Sequence, residues 1–174
     1  QSIGVNWLPL SHDMGLVGNV IVPVEWNFPV TLMPPSAMLR RPVTWLRALS
    51  EARATISGGP AFAYDLCVDR VTDADLEELD LRAWRIAYIG GEPISPLTLQ
   101  RFGARFARCG FTPAAFVPCY GLAESTLFVA GRHVAAPPTV LSCDRGHLAR
   151  GRISDSPDPS AGLQTVGHRL PPAE

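Results

Sequence analysis

Lysine is absent. All 15 basic residues of the 174-residue chain are arginine, which excludes any mechanism that draws an amine from this chain, such as a Schiff-base or phosphate-loop lysine. An excess of one charge is missing too. Fifteen basic residues face 16 acidic ones for a net charge of −1, and no basic run exists, so no nucleic-acid partner is expected. Long apolar runs are also lacking. Pro, Gly, Asn or Glu interrupts each one well short of the ~20 residues of a membrane span. Gln1–Val5 has neither the charged start nor the apolar block of a signal peptide. Cysteine is sparse: Cys67, Cys109, Cys119 and Cys143 form no CxxC pair and have no histidine at zinc-finger spacing. Small buried hydrophobes in a reducing, cytoplasmic setting are the expectation. The chain does not begin with Met, and its first residues already read as a strand, so a piece of a longer protein is expected.

What is present is 47% hydrophobic residues, enough for one core. Ile3–Leu10 alternates like a strand and leads into the turn His12-Asp13-Met14-Gly15. Leu16–Trp26 reads as a buried helix, Val30–Met33 as a strand and Pro34-Pro35-Ser36 as a loop. Pro42 opens a helix to about Ala52. Ala54–Ser57 is a strand broken by Gly58-Gly59-Pro60, and Ala61–Val71 is a helix. Thr72 caps a short helix through Leu79, with Asp73 and Asp75 in its first turn. Arg85–Ile89 is a strand closed by Gly90-Gly91-Glu92-Pro93, and Ser95 caps a helix to about Arg108. Ala115–Cys119 is a strand ending in the turn Tyr120-Gly121, and Thr126–Ala130 another. Arg132–Pro159 is a loose surface segment, and a last strand lies near Leu163–Val166.

This alternation predicts an α/β fold with a mostly parallel sheet and crossover helices. Ligands then bind at the carboxyl ends of the strands. Four turns would converge there: His12–Gly15, Gly58–Pro60, Gly90–Pro93 and Tyr120–Glu124. Glycines let backbone approach a flat ligand, or simply make tight turns. Tyr120 could stack on a base and Glu124 could hold Mg²⁺, or both could be surface residues. His12-Asp13 could be a base with its orienter, or a capped turn.

The ordered set Asn6–Leu16 (NWLPLSHDMGL), Thr55–Cys67 (TISGGPAFAYDLC), Gly90–Pro93 (GGEP) and Pro118–Thr126 (PCYGLAEST) resembles the fatty acyl-AMP ligases. These are a branch of the adenylate-forming superfamily of acyl-CoA synthetases, luciferases and adenylation domains. The resemblance runs from the first residues to about Gly167. It implies that residues 1–174 are part of the large N-terminal, AMP-binding domain. The implied reaction joins a fatty acid to ATP, giving acyl-adenylate and pyrophosphate. The acyl group then passes to the phosphopantetheine thiol of an acyl carrier protein, in a lipid, polyketide or lipopeptide pathway.

By this resemblance Gly90, Gly91, Glu92 and Pro93 line the adenine pocket and Tyr120 stacks on adenine. Gly121, Leu122 and Ala123 lie beside the α-phosphate and the carboxylate. Glu124 is the Mg²⁺ ligand, and His12 orients the carboxylate or acyl phosphate. Gly58, Gly59, Pro60, Phe62 and Tyr64 line the fatty-acyl tunnel. Residues 142–162 fall where the family carries an inserted segment, and Val166-Gly167 resembles the motif that follows it. Ala123 stands where many superfamily members have Thr, which puts a hydroxyl contact to phosphate in doubt. The phosphate loop with its Lys would precede residue 1. The ribose-binding Asp, the hinge and the C-terminal domain with its Lys would follow Glu174. A fatty acyl-CoA ligase of the same fold and a non-catalytic α/β binding module are the competing readings.

Overall fold

The computed structural model describes residues 2–131, 138–158 and 162–167. Six strands form the main sheet: β1 (Gly4–Asn6), β2 (Val30–Leu32), β3 (Ile56–Gly59), β4 (Ile86–Ile89), β5 (Phe116–Leu122) and β6 (Leu127–Gly131). Their order is β2-β1-β3-β4-β5-β6. The first five are parallel and β6 pairs antiparallel with β5. The expected mostly parallel α/β sheet is therefore present. A separate hairpin joins β7 (Val140–Cys143) to β8 (Leu163–Val166). Of residues 142–162, the described ones include the end of β7 and the short helix α8 (Arg145–Leu148), while 159–161 lie outside the described residues.

Alternation along the strands sorts side chains onto two faces. Ala87 and Ile89 of β4 and Phe116 of β5 are fully buried on one face. Helices α4 (Val43–Glu51), α5 (Ala61–Arg70) and α7 (Pro96–Phe106) cover that face. Trp45, Tyr64 and Phe102, one from each helix, meet Trp84 and Phe116 in an aromatic cluster with ring centroids 5.0–6.2 Å apart. Its polar atoms are matched: Trp45 Nε1 donates to Ser57 Oγ at 2.9 Å, and Tyr64 Oη donates to the Tyr88 carbonyl at 2.8 Å. With Met38, Leu46, Leu49, Leu99 and Phe106 packed around it, the cluster forms part of the buried core that holds the sheet to its helices.

The opposite face carries Tyr88 and Val117 and is spanned by a continuous helix over residues 13–25. It consists of α1 (Asp13–Leu16), a π-helical segment (Val17–Ile21) and α2 (Val22–Glu25). The expectation of a buried helix over Leu16–Trp26 needs correcting. The helix begins three residues earlier, and Val24 and Trp26 are 77% and 76% exposed, because only one side of it meets the sheet. Three further boundaries differ. Pro34–Ser36 is no loop, since Pro35 starts α3 (Pro35–Arg40), a position that suits its fixed φ. Gly58 and Gly59 do not break β3 but end it. Tyr120 and Gly121 continue β5 rather than turning out of it, with a bulge between them in the pairing to β6.

The Thr72 cap is present as a reciprocal capping box on α6 (Asp73–Glu77). Thr72 Oγ1 accepts from the Asp75 backbone N–H, and the Asp75 carboxylate accepts from the Thr72 backbone N–H at 3.1 Å. These Thr72 hydrogen bonds, then Arg47 and Arg41, hold the Asp75 carboxyl below the usual carboxylate range. Its contribution is complete above the unfolded carboxyl value and is lost as pH falls through the folded one. Thr72→Ala should cost about 1 kcal/mol in urea unfolding at neutral pH, and the deficit should shrink on acidification.

Candidate active site

The parallel strands deliver their carboxyl ends to one edge of the sheet, where two of the expected turns sit side by side. Gly91 follows β4 with φ +80, a conformation that glycine adopts without strain. It swings Glu92 and Pro93 toward the end of β5. There Tyr120 lies 54% exposed, its ring free to receive a flat ligand. Gly91–Ile94, Cys119–Gly121 and Thr165–Val166 together wall a cavity of about 390 Å³. The β8 wall is not legible at residue level in the sequence. Val166-Gly167 stands out there only as a motif, and spacing does not say that a hairpin folds back over Tyr120.

Gly121 sits where the chain has no spare room. A Cβ there would lie 1.6 Å from the Leu127 carbonyl oxygen. Leu122 ends β5, and a single 3₁₀ turn (Ala123–Ser125) follows, placing Glu124 exposed at its tip. The reversal into β6 puts Thr126 at φ +51 and Leu127 at φ +80. Neither is glycine, and backbone strain of this kind concentrates at ligand-binding turns. Among the described residues no group of three or more His, Cys, Asp or Glu side chains is arranged to hold a metal. A lone exposed carboxylate fits an ion that brings most of its ligands as phosphate oxygens and water, as Mg²⁺ does.

His12 caps α1. Its Nδ1 lies 2.6 Å from Asp13 Oδ1, which also accepts from the Met14 backbone N–H at 2.8 Å. The same Met14 N–H also donates to His12 Nδ1, at 3.2 Å, so the capping and Asp13 contacts both fall on Nδ1 and Nε2 takes part in neither. Glu92 is turned to another task. Its Oε1 accepts from the Phe62 backbone N–H at 2.8 Å, so the carboxylate caps the start of α5 while the residue lines the cavity.

Two apolar cavities flank His12, Met14 and Gly91. One, of about 190 Å³, lies between the 13–25 helix and the sheet face bearing Ile56, Tyr88 and Val117. The other, of about 280 Å³, is bounded by Trp7, Leu39, Pro60 and Phe62. The expected tunnel residues therefore separate. Pro60 and Phe62 line the second cavity. Gly58 and Gly59 pack against Tyr88 and Trp7. Tyr64 does not face a cavity: it is fully buried in the aromatic cluster on the far side of the sheet. Helical position 64 falls on the inner side of α5 with Ala61 and Cys67, which corrects its placement. Cys119 lines both the 190 Å³ and 390 Å³ cavities. Burial pushes its thiol up to about 11, so it is a neutral wall rather than a nucleophile.

The sequence model of the family described as AMP-binding enzyme matches residues 1–169. The chain belongs to the AMP-binding enzyme family. Curated relatives within this family include a medium-chain-fatty-acid–[acyl-carrier-protein] ligase of Teredinibacter turnerae, 45% identical over 148 residues, which cover 85% of this chain and 23% of that protein. A probable long-chain-fatty-acid–AMP ligase of Mycobacterium tuberculosis is 38% identical over 147 residues, covering 84% of this chain and 25% of the relative. Among solved AMP-binding structures, the fatty acid AMP ligase of Legionella pneumophila superposes with a TM-score of 0.90 at 38% identity. The match covers 95% of this chain and 29% of that one. A fatty acyl-adenylate ligase of the same organism, in complex with acyl adenylate and pyrophosphate, gives 0.91 at 37% identity and covers 95% and 29%. The chain spans about a quarter of the length of these curated relatives. No helix among its described residues is long and apolar enough to cross a membrane.

Proposed function

We propose that this chain is the central part of a fatty acyl-AMP ligase, which activates a fatty acid with ATP and passes the acyl group to an acyl carrier protein. The observation that carries this reading is the contiguity of two cavities. The 390 Å³ cavity beside Tyr120 and the 190 Å³ apolar cavity share Gly91, Cys119 and Gly121. A ligand with a flat base at one end, an acyl chain at the other and a phosphate between them fits that connection. Adenine lies against Tyr120 and the Gly91–Pro93 turn. The phosphate lies at the Gly121–Ala123 end of β5, within reach of Glu124 and its Mg²⁺. The acyl chain runs beneath the 13–25 helix. This places the chain by the helix rather than at Gly58–Tyr64, because the Pro60–Phe62 cavity shares only Gly91 with the adenine cavity.

A carboxylate attacking the α-phosphate needs charge neutralisation and in-line positioning more than a protein nucleophile. Bound Mg²⁺ would supply the first. His12 Nε2, oriented by Asp13, holds the acid's head group at the junction of the cavities. The second cavity, on the other side of His12, is free to admit the thiol arm of the acceptor. Residues 1–174 alone bind adenylate weakly and do not turn over, since no lysine of this chain can neutralise the phosphates.

Tyr120→Ala tests the reading. Loss of one base stack should weaken binding of an acyl-adenylate analogue about tenfold by calorimetry of the full-length enzyme, with thermal stability retained because the ring is exposed. Unchanged affinity would remove adenine from this cavity. Rapid release of acyl-coenzyme A, with no transfer to a carrier protein, would favour the acyl-CoA ligase reading instead.

A further inference from the structure

We infer that the hydrogen bond between Tyr88 and Asn19 is the gauge of acyl-chain length, a bar between sheet and helix that sets how far an acid can run beneath residues 13–25. The inference rests on the placement of the acyl chain in that groove. Tyr88 Oη donates to Asn19 Oδ1 at 3.1 Å, and Asn19 Nδ2 donates to the Met14 carbonyl at 2.7 Å. Both residues line the 190 Å³ cavity, and Asn19 is only 7% exposed. Tyr88 stands on β4, with its neighbours Ala87 and Ile89 turned to the opposite face. Asn19 stands on the helix. A bond that joins them necessarily crosses the space between.

The local backbone explains why Asn19 is fixed there. It lies within the π-helical segment Val17–Ile21, where the Val22 N–H reaches back five residues to the Val17 carbonyl. A π turn shifts the hydrogen-bond ladder by one residue, and the Asn19 side chain serves the Met14 carbonyl in the turn before it. Its amide donor is thereby committed to the helix, and its oxygen is left for Tyr88.

Position along the sheet gives the bar its effect. The groove meets the cavity beside Tyr120 at Gly91, Cys119 and Gly121, whereas Ile56, its lining residue on β3, stands at the start of that strand, away from the carboxyl ends. Ile56 lies three residues before the end of β3, about 10 Å along the strand. Tyr88 is in register with Gly58 and Val117, between that junction and Ile56. A hydrocarbon chain offers no hydrogen bond in exchange, so an acid that passes this point must separate a pair of buried polar groups in apolar surroundings. Shorter acids stop before it. Gly18 provides an opposite lever. It lines the same groove, and a Cβ there would meet only Leu127 Cδ2, at 3.2 Å, a contact a flexible side chain can relieve.

The test measures kcat/KM for a ladder of saturated fatty acids, by pyrophosphate release in the full-length enzyme, together with the KM for ATP. Tyr88→Ala should shift the optimum to longer acids, raising the long-to-short ratio about tenfold. Tyr88→Phe, which keeps the ring and the packing, should shift it the same way by less. Gly18→Val should shift the optimum to shorter acids. The KM for ATP should stay put in all three, since none lines the adenine cavity. If Gly18→Val shifts the profile and both Tyr88 variants leave it unchanged, the gauge is refuted while the groove stands. If none of the variants changes any acid's KM, the acyl chain lies elsewhere and both readings fall. Should Tyr88→Ala not fold, Tyr88→Phe alone decides the gauge.

Discussion

Gly121→Ala should unfold the end of the β5–β6 ribbon and abolish nucleotide binding together. The added methyl would be placed 1.6 Å from the Leu127 carbonyl oxygen, which is backbone and cannot rotate away. The two strands must move apart, and the strained residues Thr126 and Leu127 must find another path. A cost of about 3 kcal/mol is expected from overpacking of this severity, read as a lower midpoint in urea unfolding. Tyr120 precedes the substituted position and the Ala123–Ser125 turn follows two residues later, so binding of an adenylate analogue should fall by more than the stability loss alone explains. An alanine variant with unchanged midpoint and affinity would show that β5 and β6 do not approach as closely as described.

Glu124→Gln should lower the rate of acyl-adenylate formation in the full-length enzyme by roughly 100-fold without lowering its thermal midpoint. The side chain is exposed at the tip of a short turn, so little packing is lost on substitution. The amide keeps the shape and removes the charge that would hold Mg²⁺ against the phosphates. Raising the Mg²⁺ concentration should recover some of the rate. Full activity at ordinary Mg²⁺ would take Glu124 out of the metal site and would revive the non-catalytic reading of this fold.

Several features of the fold and of the site are legible in the sequence because local chemistry dictates them. Thr72 followed three residues later by Asp75 makes a capping box in almost any context. Ser95 before Pro96 starts a helix, and its hydroxyl accepts from the Leu97 N–H at 3.2 Å. Gly90-Gly91 after an apolar strand forecasts a turn, and Gly91 takes the left-handed conformation that this turn needs. Tyr120 and the Gly91–Pro93 turn, expected to meet, do line one cavity.

Other features depend on which face of an element meets which neighbour. The spacing of Ala61, Tyr64 and Cys67 is helical, but nothing in it tells a tunnel wall from a core stripe. Tyr64 goes to the core because α5 packs between α4 and α7. The run Leu16–Trp26 is apolar on both sides, so periodicity cannot show that one side stays open. Glu92 looks like a member of a nucleotide turn, yet it caps α5 thirty residues earlier in the chain. That contact exists only because β3 and β4 are neighbours.

By itself the sequence determined an α/β chain without lysine, its helix caps and its glycine turns, since each depends on residues within a few positions of one another. Four turns were expected to converge at one edge of the sheet, and two of them, through Gly91–Pro93 and Tyr120–Gly121, do line one cavity. Only the tertiary structure decided that the cavity beside Tyr120 shares Gly91, Cys119 and Gly121 with the groove beneath the 13–25 helix, and that Tyr88 and Asn19, 69 residues apart, close a hydrogen bond across that groove. Strand order and helix placement set those distances, and contacts that long depend on how the whole chain folds back on itself.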